Sequence, residues 1–366
     1  MEERISVFYD PKILYHNTGT GFFEAEASPF LEIKENHPEN ADRILNFLSV
    51  LKQGPISKFV DWGEGITPSI SDLERFHEKE YINKLIKLSN RPKSRLTSTT
   101  VLHEGSFNSI KTSAGLALAA AKNVWLNKSK ISYALCRPPG HHAQPSMADG
   151  YCFINNIGVA IEALREEGLN KAVVIDWDVH HGNGTQEGYY NDKNILTISI
   201  HMDHGAWGLS HPQTGKANEL GLGEGYKKNL NIPLPCGSGN ISYLKVFDEI
   251  ISPAVKKHAP EIIFIACGQD ASQFDPNGRQ LVDMKGFYML GQRANQLAKE
   301  TSNGKLVLIQ EGGYAISYAS YCLHSTLEGA LNRKQELKDP IAFIPEQVDF
   351  IDQIVEKIKK EHEGLN

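Results

Sequence analysis

Cysteine is scarce and scattered in this chain. The five cysteines, Cys136, Cys152, Cys236, Cys267 and Cys322, are odd in number and never fall in a CxxC spacing. That argues against a disulfide framework or a thiolate zinc site, and for a reducing compartment. No run of about 18 apolar residues occurs, and the N-terminal stretch MEERISVFYDPKILYH holds no apolar signal core. A cytoplasmic protein without membrane contact is expected. Blocks of Lys or Arg are missing and the formal net charge is -6, so direct nucleic-acid binding through a basic face is not expected. Internal repeats, low-complexity tracts and Pro/Ser-rich linkers are missing too, so residues 1–366 read as one domain.

What is present is ordinary globular material, 40 % hydrophobic and 22 % charged. Short apolar, β-branched runs at 131–136, 172–176, 195–200, 261–267 and 305–309 predict strands, and helical periodicity marks 108–126, 156–168, 242–258 and 286–300. Continuous apolar strands alternating with helices predict an α/β fold with a parallel sheet buried on both faces. Such sheets place their sites at the carboxyl ends of the strands. RPPGHH, DWDVHH, GQDASQFDP and EGGY each follow one of these strands, and a fifth strand ends in SIH. All five segments are therefore expected to meet at one edge.

In AVVIDWDVHHGNGTQEG, residues two apart in an extended chain put Asp176, Asp178 and His180 on one side. Two carboxylates and an imidazole gathered there need a compensating cation or hydrogen-bond donors; the plainer alternative is that the acids cap a turn. Asp270, three residues beyond the strand at 267, would complete three ligands and leave a fourth position open, as in a catalytic zinc site. Asp275 precedes Pro276 and reads as a turn residue. His141 and His142 are adjacent, which suits a general base with an electrostatic partner better than a shared metal; two loop histidines without a role are the alternative. Tyr314, after two glycines, is placed to donate to an oxyanion, or else is an ordinary turn tyrosine.

Together RPPGHH, GYCFINN, DWDVHHGNGTQ, SIH, the NIPLP and GSG pair, DP after the third acid, and EGGY resemble the histone deacetylase and acetylpolyamine amidohydrolase family, in its bacterial, class II-like branch, from His37 through Tyr314. The resemblance implies a three-layer, arginase-like α/β fold with a mainly parallel central sheet and helices on both faces. It implies one zinc ion on Asp178, His180 and Asp270, His142 as general base, His141 paired with Asp176 beside it, and Tyr314 on the amide carbonyl. Asn183 stands where some members carry an acid behind the second histidine; the neutral partner leaves His142 more often in its basic form. A structural potassium ion is implied on Asp176, Ser199 and the carbonyls of Asp178, His180 and Ile200. The substrates implied are acetyl-lysine or an acetylated polyamine, cut to acetate and a free amine.

Gly150, Tyr151, His211, Gln269 and Gly312 are the positions matching the substrate walls. His211 and Gln269 replace aromatics common in the family, so a more polar tunnel rim is expected. RLTSTTVLHEG lacks the carboxylate with which some members grip a peptide backbone, and Asn277 stands where polyamine-specialised members carry an acid. The long segment 15–40, with Phe22, Phe23, Phe30 and the acids Glu24, Glu26, Glu32 and Glu35, is expected to roof the entrance and touch a second subunit, making a homo-oligomer. Two other enzyme classes fit less well. An iron oxygenase generally wants two histidines and one carboxylate, and a ureohydrolase more bridging acids. Other acyl amides as substrates, or a sensor of acylated amines that does not turn them over, are the remaining alternatives.

Overall fold

The computed structural model describes residues 3–20, 28–33, 35–97, 100–203, 214–341 and 344–362. Among these the strands are β1 (Ile5–Phe8), β2 (Val60–Gly63), β3 (Lys93–Arg95), β4 (Val101–His103), β5 (Ile131–Ala134), β6 (Ala172–Asp176), β7 (Ile195–Met202), β8 (Asn229–Leu234), β9 (Ile262–Cys267) and β10 (Leu306–Gln310). Eight form one sheet in the order β2-β1-β5-β10-β9-β6-β7-β8. Every neighbouring pair in it runs parallel. β3 and β4 make a separate antiparallel pair.

The five strands legible as apolar runs are the five contiguous central ones, β5, β10, β9, β6 and β7, and all their residues are buried. A parallel strand covered on both faces has no solvent side to alternate towards, and each buried Val, Leu or Ile contributes about 1.5–3 kcal/mol. Their carboxyl ends lie nearly level: Asp176 is in register with Ser199 on β7 and Ala266 on β9, and Gln310 with Cys267. The convergence expected of the five following segments is therefore built into the register. β2 and β8 are the sheet edges. Pro233 sits in β8, where a missing ladder donor is tolerated.

The helices Ser106–Trp125, Asn156–Glu166 and Met284–Thr301 match the expected spans to within two residues. The expected helix 242–258 is instead an α-segment Asn240–Val246, a π turn Phe247–Ile251 and a second α-segment Ser252–His258. Pro253, at the start of that last segment, has no N–H to give the carbonyl four residues back, and the wider turn absorbs the mismatch. Further helices at Ala41–Gln53, Lys79–Leu88, Ile316–Ala330 and Ile351–Glu361 cover the sheet and its flank. The last buries only Ile351, Val355 and Ile358, one face at helical spacing. No described helix is long and apolar enough to cross a membrane.

Candidate metal centre and active site

β6 stops at Asp176, and the chain bends through 178–180 rather than staying extended. The expected one-sided set therefore splits. Asp176 turns to His141, while Asp178 and His180 meet Asp270 from the loop after β9. His180 Nδ1 lies 3.1 Å from both Asp178 Oδ1 and Asp270 Oδ2. One donor atom from each of the three residues lies within 4.8 Å of the other two. Backbone donors fix the outer oxygens: the Gly312 N–H donates to Asp178 Oδ2 at 2.8 Å and the Val179 N–H to Asp270 Oδ1 at 2.9 Å.

These donors suit a divalent cation. Burial pushes both wholly buried carboxyls up, and the Asp178 charge helps hold Asp270 at about 8. At Asp178 the neighbouring His141 and His180 outweigh burial and hold it below the carboxylate range. Two adjacent acids split in this way are short of positive charge. The 3.1 Å separations approach the roughly 3.3 Å between ligands of a tetrahedral ion with bonds of about 2.0–2.1 Å. Glycine is required around them: a Cβ on Gly312 would stand 2.1 Å from Asp270 Oδ2, and one on Gly268 2.3 Å from Asp178 Oδ2.

The two histidines are held differently. His141 Nδ1 bonds Asp176 Oδ2 at 2.8 Å, and Asp176 Oδ1 accepts the Asp178 N–H at 3.0 Å. His142 Nδ1 bonds Asn183 Oδ1 at 2.6 Å, and the Asn183 amide donates to Asp149 Oδ2 at 3.1 Å. Burial disfavours charge on both rings. At His141 the charges of Asp178 and Asp176 overcome it and raise the pKa well above the ordinary value. At His142 the neighbouring His141 and His180 add to it and lower the pKa. Adjacent imidazoles are thus pushed in opposite directions, the pattern of paired groups with distinct acid–base roles. A Cβ on Gly150, whose φ is +47°, would meet His142 Cδ2 at 2.2 Å, so this position keeps the ring's place clear.

Tyr314 is set by Asp275, which proves to be more than a turn residue. Its Oδ2 accepts the Tyr314 N–H at 2.7 Å and the Ala315 N–H at 3.2 Å, and its Oδ1 the Asn277 and Gly278 N–H groups at 2.9 and 3.2 Å. The Arg43 guanidinium lies 4.9 Å over the Tyr314 ring, and burial keeps the phenol protonated by raising its pKa. Tyr151 meets Tyr314 edge to face at 5.8 Å and His37 at 4.9 Å.

Gln269, expected on the tunnel rim, is not there. It is wholly buried, donating to the Cys267 carbonyl at 3.1 Å and accepting from Gln310 at 2.8 Å. Its position just past β9 turns it inward to tie the ends of β9 and β10 together. His211, Phe22, Phe23, Glu24 and Glu26 lie outside the described residues. Ser199 sits level with Asp176, its hydroxyl 2.9 Å from His201 Nδ1, with Ile200 next on β7.

Three groups escaped the sequence reading. Glu311 Oε2 accepts the Gly140 and His141 N–H groups at 2.6 and 3.1 Å and so shapes the histidine turn. Asp149 backs Asn183. Glu39 is clamped between Arg43 and Arg137 at 3.3 and 2.8 Å, with all three side chains buried, and Arg43 also donates to the carbonyls of Glu311 and Gly313. The signal was the pair of arginines in HPENADR and RPPGHH, but nothing in one sequence says which acid joins them.

Comparison with known proteins identifies the family. A histone deacetylase domain model matches residues 37–330. The chain is 44 % identical over 363 residues to "Histone deacetylase 8" of Arabidopsis thaliana, covering 98 % of this chain and 96 % of that one. It is 32 % identical over 344 residues to a histone deacetylase-like amidohydrolase of Pseudomonas aeruginosa, covering 93 % and 90 %. The crystal structure of the HDA15 HD domain superposes with a TM-score of 0.84 at 29 % identity, covering 98 % of this chain and 95 % of that one. Its α/β deacetylase fold, its match to the domain and its relatives together show that the chain belongs to the histone deacetylase family of hydrolases.

Proposed function

We propose that the chain is a zinc-dependent deacetylase that hydrolyses the N-acetyl amide of acetyl-lysine or an acetylated polyamine, releasing acetate and a free amine. The observation that carries this reading is the buried meeting of Asp178, His180 and Asp270 beside two oppositely tuned histidines. When bound, zinc supplies Lewis acidity and lowers the pKa of water. His142, with Nδ1 donating to Asn183, accepts a proton at Nε2 and returns it to the leaving amine. His141, kept cationic by Asp176, holds positive charge beside the developing anion. Tyr314 donates its O–H to the oxyanion as charge builds there. Tyr151, braced by His37, walls the flexible stem of the acylated amine, with Gly150 and Gly312 leaving room beside it.

A potassium ion on Asp176, Ser199 and the Ile200 carbonyl belongs to the same reading, supported by the register that sets Asp176 beside Ser199. So do a single catalytic domain over 1–366, a cytoplasmic location and a homo-oligomer. The exposed Tyr15, Phe30, Leu31 and Ile33 on the expected entrance segment support that oligomer.

The test is acetate release from an acetyl-lysine peptide and an acetylpolyamine, with zinc-loaded and chelated protein. Turnover of either that collapses on chelation and returns with zinc supports the reading, and the ratio names the substrate class. Tight zinc binding with neither substrate cleaved would overturn it.

A further inference from the structure

We propose that His141, Cys152 and Glu311 form a second, inhibitory site for a thiophilic divalent cation such as zinc. One donor atom from each lies within 4.8 Å of the other two, and all three side chains are buried. The set shares no residue with Asp178, His180 and Asp270, and it alone contains sulfur.

Each residue has a donor atom to offer. Glu311 spends Oε2 on the Gly140 and His141 N–H groups, while Oε1 is buried with no hydrogen-bond partner. An unpaired buried carboxylate oxygen is costly and is met by a ligand where one is at hand. His141 has Nδ1 committed to Asp176, while Nε2, 3.7 Å from Asp178 Oδ1, carries the second proton of the cationic ring and binds metal once that proton leaves. A carboxylate behind the outer nitrogen is the usual support of a metal-bound histidine. The Cys152 thiol meets the Gly150 carbonyl at 3.4 Å and the His142 backbone, weak contacts that a metal replaces. Nitrogen, sulfur and oxygen donors select zinc or a similar borderline ion over magnesium or calcium. Ligands across a tetrahedral zinc ion are roughly 3.5 Å apart, so small inward rotations complete the set. Coordination replaces the Cys152 S–H bond with a sulfur–metal bond and the His141 Nε2–H bond with a nitrogen–metal bond, and sends both protons to solvent, with no change of oxidation state.

Occupying this site takes the His141 ring out of the catalytic pair. Activity should therefore rise with the first equivalent of metal and fall with the second. The test is stepwise addition of cobalt(II) to the metal-free full chain, read as near-ultraviolet sulfur-to-cobalt charge transfer. The first equivalent fills the sulfur-free set and gives no such absorption; the second brings it. In Cys152→Ser the absorption is lost, the first equivalent is retained, and excess metal no longer inhibits. Retention of that first equivalent shows that the variant is folded. Glu311→Gln should keep the absorption at saturation but weaken the second equivalent about tenfold or more. Cys236→Ser, which removes the exposed thiol, should change neither. Absence of the absorption at any cobalt level, its survival in Cys152→Ser, its loss in Cys236→Ser, or unaltered affinity in Glu311→Gln would each overturn the assignment. The charge-transfer readout needs no substrate, so a protein inactive on both acetylated amines would leave the metal assignment standing and overturn only its inhibitory role.

Discussion

Acidification should destabilise this protein through a histidine that takes no part in the chemistry. His77 is 2 % exposed; its Nε2 accepts the Asn155 N–H at 2.9 Å and its Nδ1 faces the Pro145 carbonyl at 3.3 Å. Burial pushes its pKa from 6.5 down to about 4. Because the folded value lies below the unfolded one, the unfolded chain takes up the proton first as pH falls. Stability is full above about pH 6.5 and is lost down to about pH 4. The whole gap corresponds to roughly 3 kcal/mol, and the part between about pH 7 and about pH 5 to about 2 kcal/mol. His77→Gln keeps an acceptor and a donor but does not titrate. Urea unfolding of both proteins at the two pH values should show the wild type losing about 2 kcal/mol more than the variant. Equal losses would refute the reasoning. The consequence reaches the active site, because Asn155 caps the Asn156–Glu166 helix through the Gly158 N–H and ties Ala143 to Thr185 behind the histidine turn.

Other perturbations test the supports of the site. Asp275→Asn turns an amide NH2 against backbone N–H groups that now donate to a carboxylate; it should cost about 3 kcal/mol in unfolding and lower kcat more than it raises KM. Gly312→Ala brings a methyl to 2.1 Å from Asp270 Oδ2, and metal titration should show affinity weakened about 10–100-fold. Glu39→Gln leaves Arg43 and Arg137 buried without their shared acid; denaturant unfolding should show a loss of about 3–5 kcal/mol.

The legible parts of the molecule were those whose signal is local. Apolar runs marked the five central strands because both faces of each are buried, whereas the edge strand VDWG is half exposed and NLNIPL is broken by asparagine and proline. Asp178, His180 and Asp270 stood out because acids and an imidazole directly after buried strands have few structural reasons to be there. Glu311, Asp149 and the Glu39 clamp stayed hidden because their meaning lies in partners up to 270 residues away. Gln269 was misplaced because composition says what a side chain is, while the turn after β9 decides where it points.

The central claim is that Tyr314 supplies a hydrogen bond to charge that develops only during reaction, beside a metal it does not hold. The most direct measurement is kcat of Tyr314→Phe on whichever acetylated amine the wild type cleaves, with bound zinc counted in the same samples. Removing one such donor should lower kcat about 10²–10³-fold, with zinc content unchanged. A kcat within about threefold of the wild type, far short of the cost of one lost oxyanion donor, would contradict the account.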